Sequence, residues 1–124
     1  SVIVVGSVHG RATTAGITAY ATTKAALEGW VRSAALDLGP DIRVNAVAPG
    51  AIDTAKLRQG FARWGNESAE ERKDVLRQRT ALRRIGDPQD VAGAVSFLIG
   101  DDARFVTAAI LVVDGGATAR LGSE

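Results

Sequence analysis

The chain has 124 residues, 46% of them hydrophobic and 23% charged, with a formal net charge of +1 and no cysteine. These values describe one soluble globular unit that can bury about two-thirds of its unfolded surface. They exclude a disulfide framework, a thiol nucleophile and a thiolate metal site. With His9 the sole histidine, no transition-metal site is expected. No apolar run approaches the roughly 20 residues of a membrane-spanning helix. No cleavable signal is visible, and the default expectation is a cytoplasmic protein.

The first element is Ser1-Val2-Ile3-Val4-Val5, a β-branched run without alternation. Such a run suits a strand covered on both faces, as in parallel α/β sheets. Gly6-Ser7 ends it, and Val8 to Gly16 is loop by composition. A helix is expected from about Ala19 to Leu38, with Leu27, Trp30, Val31, Ala34 and Leu38 as its apolar stripe and Gly39-Pro40 as its stop. Ile42 to Ala48 reads as the second strand, broken by Pro49-Gly50. From Thr54 to about Thr80 the pattern is polar and helical, interrupted near Gly65-Asn66, which predicts two short helices forming a lid. Asp87 as N-cap and Pro88 in the first turn start another helix. Its apolar residues are Val91, Ala94, Val95 and Leu98, and it ends near Gly100. Ala109 to Val113 is the third strand, turned by Asp114-Gly115-Gly116. Strands alternating with helices imply an α/β unit with parallel pairing through crossover helices. There is no internal repeat or linker, so residues 1–124 form one domain.

The lid is strongly charged. Lys56, Arg58, Arg63, Arg72, Lys73, Arg77, Arg79, Arg83 and Arg84 stand against Glu67, Glu70, Glu71 and Asp74. They form either a solvated helical face or a rim that attracts an anionic substrate or carrier. Nucleic acid is not an expected partner, because aromatic stacking platforms are scarce.

The chain is organised around Tyr20-Ala21-Thr22-Thr23-Lys24. Helix positions four apart share a face, so a phenol and an ammonium project into one place. A free phenol has a pKa of about 10, and moving it to 7 takes roughly 4 kcal/mol. A neighbouring cation supplies a shift of about 1–3 units, so Lys24 would need help. Three further features stand in order around the pair. Ser7 closes the first strand, Pro49-Gly50-Ala51-Ile52-Asp53-Thr54 closes the second, and Val113-Asp114-Gly115-Gly116 closes the third. In open α/β sheets, ligands bind beyond the carboxyl ends of the strands.

With these residues in this order, the sequence resembles the short-chain dehydrogenase/reductase family over nearly its whole length. The resemblance implies a Rossmann-like, doubly wound parallel sheet, of which this chain would be the C-terminal, catalytic half. It implies Ser7, Tyr20 and Lys24 as catalytic residues and NAD or NADP as cofactor. Tyr20 would pass a proton to or from the substrate oxygen. Lys24 would favour its ionised form and bond the nicotinamide ribose. Ser7 would hold the substrate oxygen. Pro49, Gly50, Ile52 and Thr54 would meet the cofactor, with Gly50 allowing close approach because it lacks a Cβ. His9 and Ala51 are candidate substrate contacts, His9 otherwise being a solvated loop residue. The bland roles for Ser7 and Thr54 are a turn cap and the N-cap of the lid helix, and the Asp114 turn is structural under either view.

The implied reaction interconverts a small secondary alcohol and a ketone by hydride transfer, with weak similarity to 3-oxoacyl-reductase and sugar- or polyol-dehydrogenase branches. The resemblance also implies a homo-oligomer, a dimer or tetramer paired through the Tyr20–Leu38 helix, where Ala25, Ala26, Gly29 and Ser33 are small. A glycine-rich dinucleotide turn, a ribose-reading residue and the family's catalytic asparagine are not found in these residues. The 124 residues alone are therefore expected to be inactive, with Val2 to Val5 an open apolar edge. Thr107-Ala108-Ala109 departs from the family's glycine and polar residue at this place. The rival expectation is a non-catalytic helix-paired oligomerisation module that keeps the motifs by descent.

Overall fold

Three parallel strands carry the chain, in the spatial order β1 (Val2–Val5), β2 (Val44–Pro49), β3 (Ile110–Val113). The computed structural model describes residues 1–61 and 68–119. Val2 pairs with Val44 at one end of the sheet, and Pro49 pairs with Val113 at the other. Parallel neighbours need a crossover connection. Helix α1 (Thr18–Leu38) supplies the first, and α2 (Ala55–Phe61), α3 (Ala69–Arg79) and α4 (Pro88–Ile99) lie in the second. This is the Rossmann-like α/β arrangement that the sequence pattern implies.

β2 is the centre, and every residue from Val44 to Ala48 is buried. Successive side chains of a strand face opposite ways. Val44 and Ala46 meet Val31, Ala34 and Ala35 of α1, with Val4, Ala108 and Ile110 packed around them. Leu98 of α4 is buried, with Val91, Ala94 and Val95 half-buried on the same side, as their spacing predicts. The expected stripe of α1 is only partly inward. Val31 and Ala34 are buried and Leu27 is half-buried, but Trp30 and Leu38 are exposed. The inner positions are taken by Glu28 and Ala35 instead. The strands of a three-stranded sheet leave a narrow seat, which small side chains fill and an indole does not.

Polar groups lock the sheet to its connections. Asn45 is fully buried; its amide nitrogen donates to the Val106 carbonyl at 2.8 Å, and its oxygen accepts from the Ala109 amide at 3.0 Å. Arg43 donates to the Leu98 carbonyl at 2.8 Å and the Val106 carbonyl at 3.1 Å. A cation at the last carbonyls of α4 meets the negative end of that helix. Asp87 takes the N-cap position, and the first turn is closed by its amide donating to Asp90 Oδ2 at 2.7 Å. Ala108 adopts φ 60°, a left-handed conformation that costs about 1–2 kcal/mol without glycine. Its amide is held 2.7 Å from the Val44 carbonyl.

The polar stretch forms two helices, as expected. Ser68 and Glu71 close a reciprocal capping box at the start of α3, with bonds of 2.7 and 3.2 Å. The expected interruption at Gly65-Asn66 lies outside the described residues. Arg58 and Lys73 both reach Asp53, at 2.9 and 3.7 Å, and Arg77 pairs with Glu70 at 2.8 Å and with Asp74. No helix among the described residues is long and apolar enough to cross a membrane.

Asn45→Ala removes a donor and an acceptor from a buried position, stranding the Ala109 amide and leaving the Val106 carbonyl with Arg43 alone. A loss of about 2–3 kcal/mol is expected, seen as a lower urea midpoint at unchanged slope.

Candidate active site

Tyr20 stands in the first turn of α1, and Lys24 and Glu28 follow at four-residue steps on the same face. Lys24 Nζ donates to the Val5 carbonyl at 3.0 Å and lies 5.6 Å from the centre of the Tyr20 ring. The bond ties the helix to the carboxyl end of β1. Two residues further on, Ser7 is buried as the cap of a short 3-10 turn over Val8–Gly10. Its Oγ accepts from the His9 amide at 3.2 Å, which leaves the hydroxyl proton free to donate.

His9 is half-buried, not solvated. Its ring meets Tyr20 edge-on, with centroids 5.9 Å apart and planes at 69°, and its Nδ1 lies 3.3 Å from Thr13 Oγ1. Burial pushes its pKa below the usual histidine value, so the imidazole is neutral at pH 7. From α2, Lys56 extends its ammonium to 5.1 Å from the same ring. One ring thus gathers residues from the loop after β1, from α1 and from α2.

The residues after β2 are placed differently. Ile52 forms a parallel bridge with Gly86, carried by the Asp53 amide to the Gly86 carbonyl at 2.8 Å and the Gly86 amide to the Ala51 carbonyl at 3.0 Å. This geometry uses the neighbours' groups. The amide and carbonyl of Ile52 make no hydrogen bond among the described residues. Thr54 Oγ1 accepts from the Leu57 amide at 3.3 Å, the N-capping role open to it from sequence. Gly50 has a structural reason of its own to be glycine. A Cβ there would sit 2.7 Å from Asp114 Cβ, so glycine lets the end of β3 approach, whatever else comes near. Ala51 and Ile52 line a cavity of about 110 Å³ with Leu82, Arg84, Asp90 and Val113, and Tyr20 is not in its wall.

Two supports hold the site, the first of which was not found by sequence reasoning. Arg11 donates through Nε to both oxygens of Glu28, at 3.0 and 2.8 Å. Glu28 is 8% exposed, and the pair staples the loop carrying Ser7 and His9 to the helix carrying Tyr20. The available signal was a carboxylate at the buried spacing of α1, one turn beyond Lys24. Asp114 is the second. Its carboxylate accepts from the Gly116 amide at 2.8 Å, the Thr118 amide at 2.8 Å and the Thr118 hydroxyl at 2.7 Å. Gly115 and Gly116, at φ 63° and 83°, give the turn the conformation it needs.

Arg11→Ala leaves the Glu28 carboxylate buried without its partner, whereas Glu28→Gln leaves an arginine that reaches water. The first should cost about 2 kcal/mol and clearly more than the second, and the double variant should recover part of the loss; urea denaturation of the three variants measures it. Burial alone would raise the Asp114 pKa, but bonds from Thr118, Gly116 and Ala117 outweigh it and the net direction is down. A carboxyl depressed on folding stabilises above its unfolded pKa and is lost as pH falls through the folded value. Thermal melts should therefore show a loss below about pH 4 that is smaller in Asp114→Asn, which is itself weaker by about 1 kcal/mol at pH 7.

A family model described as enoyl-(acyl carrier protein) reductase matches residues 1–118. The human protein named dehydrogenase/reductase SDR family member 4 is 40% identical over 122 residues, covering 98% of this chain and 42% of that protein. The ligand-free aldohexose dehydrogenase of Thermoplasma acidophilum superposes with a TM-score of 0.92 at 36% identity, covering 97% of this chain and 48% of that one. A 4-hydroxyisoleucine dehydrogenase complexed with NADH superposes with a TM-score of 0.85 at 32% identity, covering 96% and 47%. The chain thus spans less than half the length of each of these proteins. With the Tyr-x-x-x-Lys pair, the Ser7 turn and the parallel sheet in place, this chain belongs to the short-chain dehydrogenase/reductase family.

Proposed function

We propose that the chain is the catalytic half of an NAD(P)-dependent oxidoreductase that interconverts a small secondary alcohol and a ketone. The observation that carries this is the anchoring of Lys24 on the Val5 carbonyl at 3.0 Å, with its ammonium 5.6 Å from the centre of the Tyr20 ring and His9 of the Ser7 turn packed on that ring's edge.

The residues present suit a nicotinamide dinucleotide. The amide and carbonyl of Ile52 are uncommitted and complement a carboxamide, which carries one acceptor and two donors. An ammonium has three donors, and Lys24 spends one on Val5, leaving two for ribose hydroxyls. Thr54 keeps a hydroxyl proton for a cofactor oxygen. When bound, the nicotinamide supplies or accepts the hydride. The chain's own residues do the rest. The Tyr20 hydroxyl gives its proton to the substrate oxygen during reduction and takes it back during oxidation. Ser7 donates its remaining hydrogen bond to the same oxygen and polarises the carbonyl. Lys24 holds positive charge beside the phenol, where negative charge develops once the proton leaves. His9, neutral and packed on the ring edge, limits where the phenol can turn, and it and Ala51 stay candidate substrate contacts.

The rival reading, a helix-paired assembly module, draws support from the outer face of α1. Ala25, Ala26, Gly29 and Ser33 are all exposed, beside Trp30 at 49% and Leu36 at 83%. A Cβ on Gly29 would meet nothing within 4 Å, so the fold itself does not require glycine there. A second copy of the chain docking on this face is compatible with catalysis, and we place a homo-oligomer and a cytoplasmic location within the same proposal.

Tyr20→Phe, made in the chain joined to its upstream, cofactor-binding half, tests the assignment. Reductase activity should fall by about 10²–10⁴-fold, with sedimentation behaviour and melting temperature unchanged. Retained activity in Tyr20→Phe defeats the role given to the phenol. A joined wild type that binds NAD(P)H and reduces no ketone favours the assembly module.

A further inference from the structure

Lys56 is not explained by the chemistry above. Its ammonium lies 5.1 Å from the centre of the Tyr20 ring, and no carboxylate pairs with it among the described residues. The nearby acids are already engaged. Asp53 is held by Arg58 at 2.9 Å and Lys73 at 3.7 Å, and Glu28 by Arg11 at 2.8 Å. His9, the remaining titratable neighbour of the ring, is kept neutral at pH 7 by burial. Among the described residues, the ring therefore has two ammonium groups beside it, and the carboxylates of Asp53 and Glu28 are already paired. Lys24 is committed to the Val5 carbonyl and to the phenol. Lys56 has only the ring face to rest on, and an exposed cation–π contact is weaker than a charge-assisted hydrogen bond to an anion.

Resting on the proposed reductase reading, we propose that Lys56 binds the carboxylate of the substrate, which makes the substrate class a short hydroxy acid or the corresponding oxo acid. The substrate oxygen must reach the Tyr20 hydroxyl, and an ammonium 5.1 Å from the centre of that ring is within reach of a carboxylate one to three carbons from the reacting carbon. On binding, the ammonium exchanges the ring face for the carboxylate. A neutral ketone of equal size gains none of this. A cationic one meets repulsion from Lys24 and Lys56 together.

The test uses the chain joined to its cofactor-binding half, with 2-oxobutanoate, acetoacetate and levulinate and the methyl ester of each as probes, under NADH and NADPH. Wild type should prefer at least one acid over its ester in kcat/KM. Lys56→Met should lower that acid-to-ester ratio by about 10- to 100-fold, mainly through KM, as expected for a lost hydrogen bond between charged groups. Lys56→Arg should keep most of the preference, because the charge remains. Cofactor dissociation constants, read from nicotinamide fluorescence, should be the same in all three proteins. An unchanged ratio in Lys56→Met overturns the inference. So does weakened cofactor binding with an intact ratio, which would assign the ammonium to a dinucleotide phosphate. Turnover of neutral ketones with no turnover of any oxo acid also overturns it, while leaving the reductase reading standing. A joined protein that binds no cofactor and reduces nothing removes both.

Discussion

The burial of β2 is the constraint from which the site follows. A strand with no exposed residue from Val44 to Ala48 has to satisfy its backbone on both sides and cover both of its faces. β1 and β3 satisfy the edges, and because both run parallel to it, all three carboxyl ends finish on one side. Ser7, Ile52 and Asp114 follow those ends directly. Their gathering needs no special interaction among them, because the sheet's own pairing delivers it. What the sheet does not set is the distance between the β1 end and the helix that crosses back. That is set by Lys24 on Val5 near the top of α1 and by Arg11 on Glu28 one turn lower.

Most of the architecture was legible in the sequence because its signals are local. Runs such as Val2 to Val5 and Ile110 to Val113 are read as strands from their β-branched, apolar composition, although the expected cover on both faces is missing, with Val2, Val5, Leu111 and Val112 exposed. Gly39-Pro40 and Asp87-Pro88 mark helix ends by backbone chemistry alone. The burial of α4 followed its spacing, with Leu98 innermost. α1 was less legible, because periodicity reports which residues are apolar and not how much room the partner surface offers. Trp30 and Leu38 satisfy the spacing and still lie outside. Glu28 is the converse, a charged residue at an inner position whose burial is intelligible only once Arg11, 17 positions earlier, folds back onto it. Pairings of this kind are fixed by tertiary approach and leave no periodic trace.

The candidate site divides along the same line. Tyr20 and Lys24 could be placed together from helical spacing, and Ser7 from its position at the end of a strand. Gly50 was legible as a site of close approach, but not as to what approaches; the backbone and side chain of Asp114 fill the space a Cβ would need. Thr54 shows the same ambiguity in another form. One hydroxyl oxygen caps the turn at Leu57 while its proton stays available, so the structural and functional roles read from sequence do not exclude each other. Lys56 was visible only as one charge among many in a basic stretch. Four of those charges meet carboxylates among the described residues, Arg58 and Lys73 on Asp53, Arg77 on Glu70 and Asp74, and Arg84 on Asp90. What separates Lys56 is its place 5.1 Å from the centre of the Tyr20 ring.

Two lysines on one aromatic ring are therefore not redundant. Lys24 springs from a 21-residue helix and ends on a backbone carbonyl, which holds its charge in place. Lys56 springs from a seven-residue helix with no backbone anchor for its ammonium. A lysine side chain held only by a ring face keeps most of its rotamer freedom, which suits a group that must meet and release a ligand. The first lysine gives up its mobility to hold a charge in place, and the second keeps its mobility to carry a charge to a partner. In the proposed reaction, exchanging their anchors would spoil both tasks, because a mobile Lys24 would leave a developing phenolate unshielded and a fixed Lys56 would lose its reach towards an incoming anion.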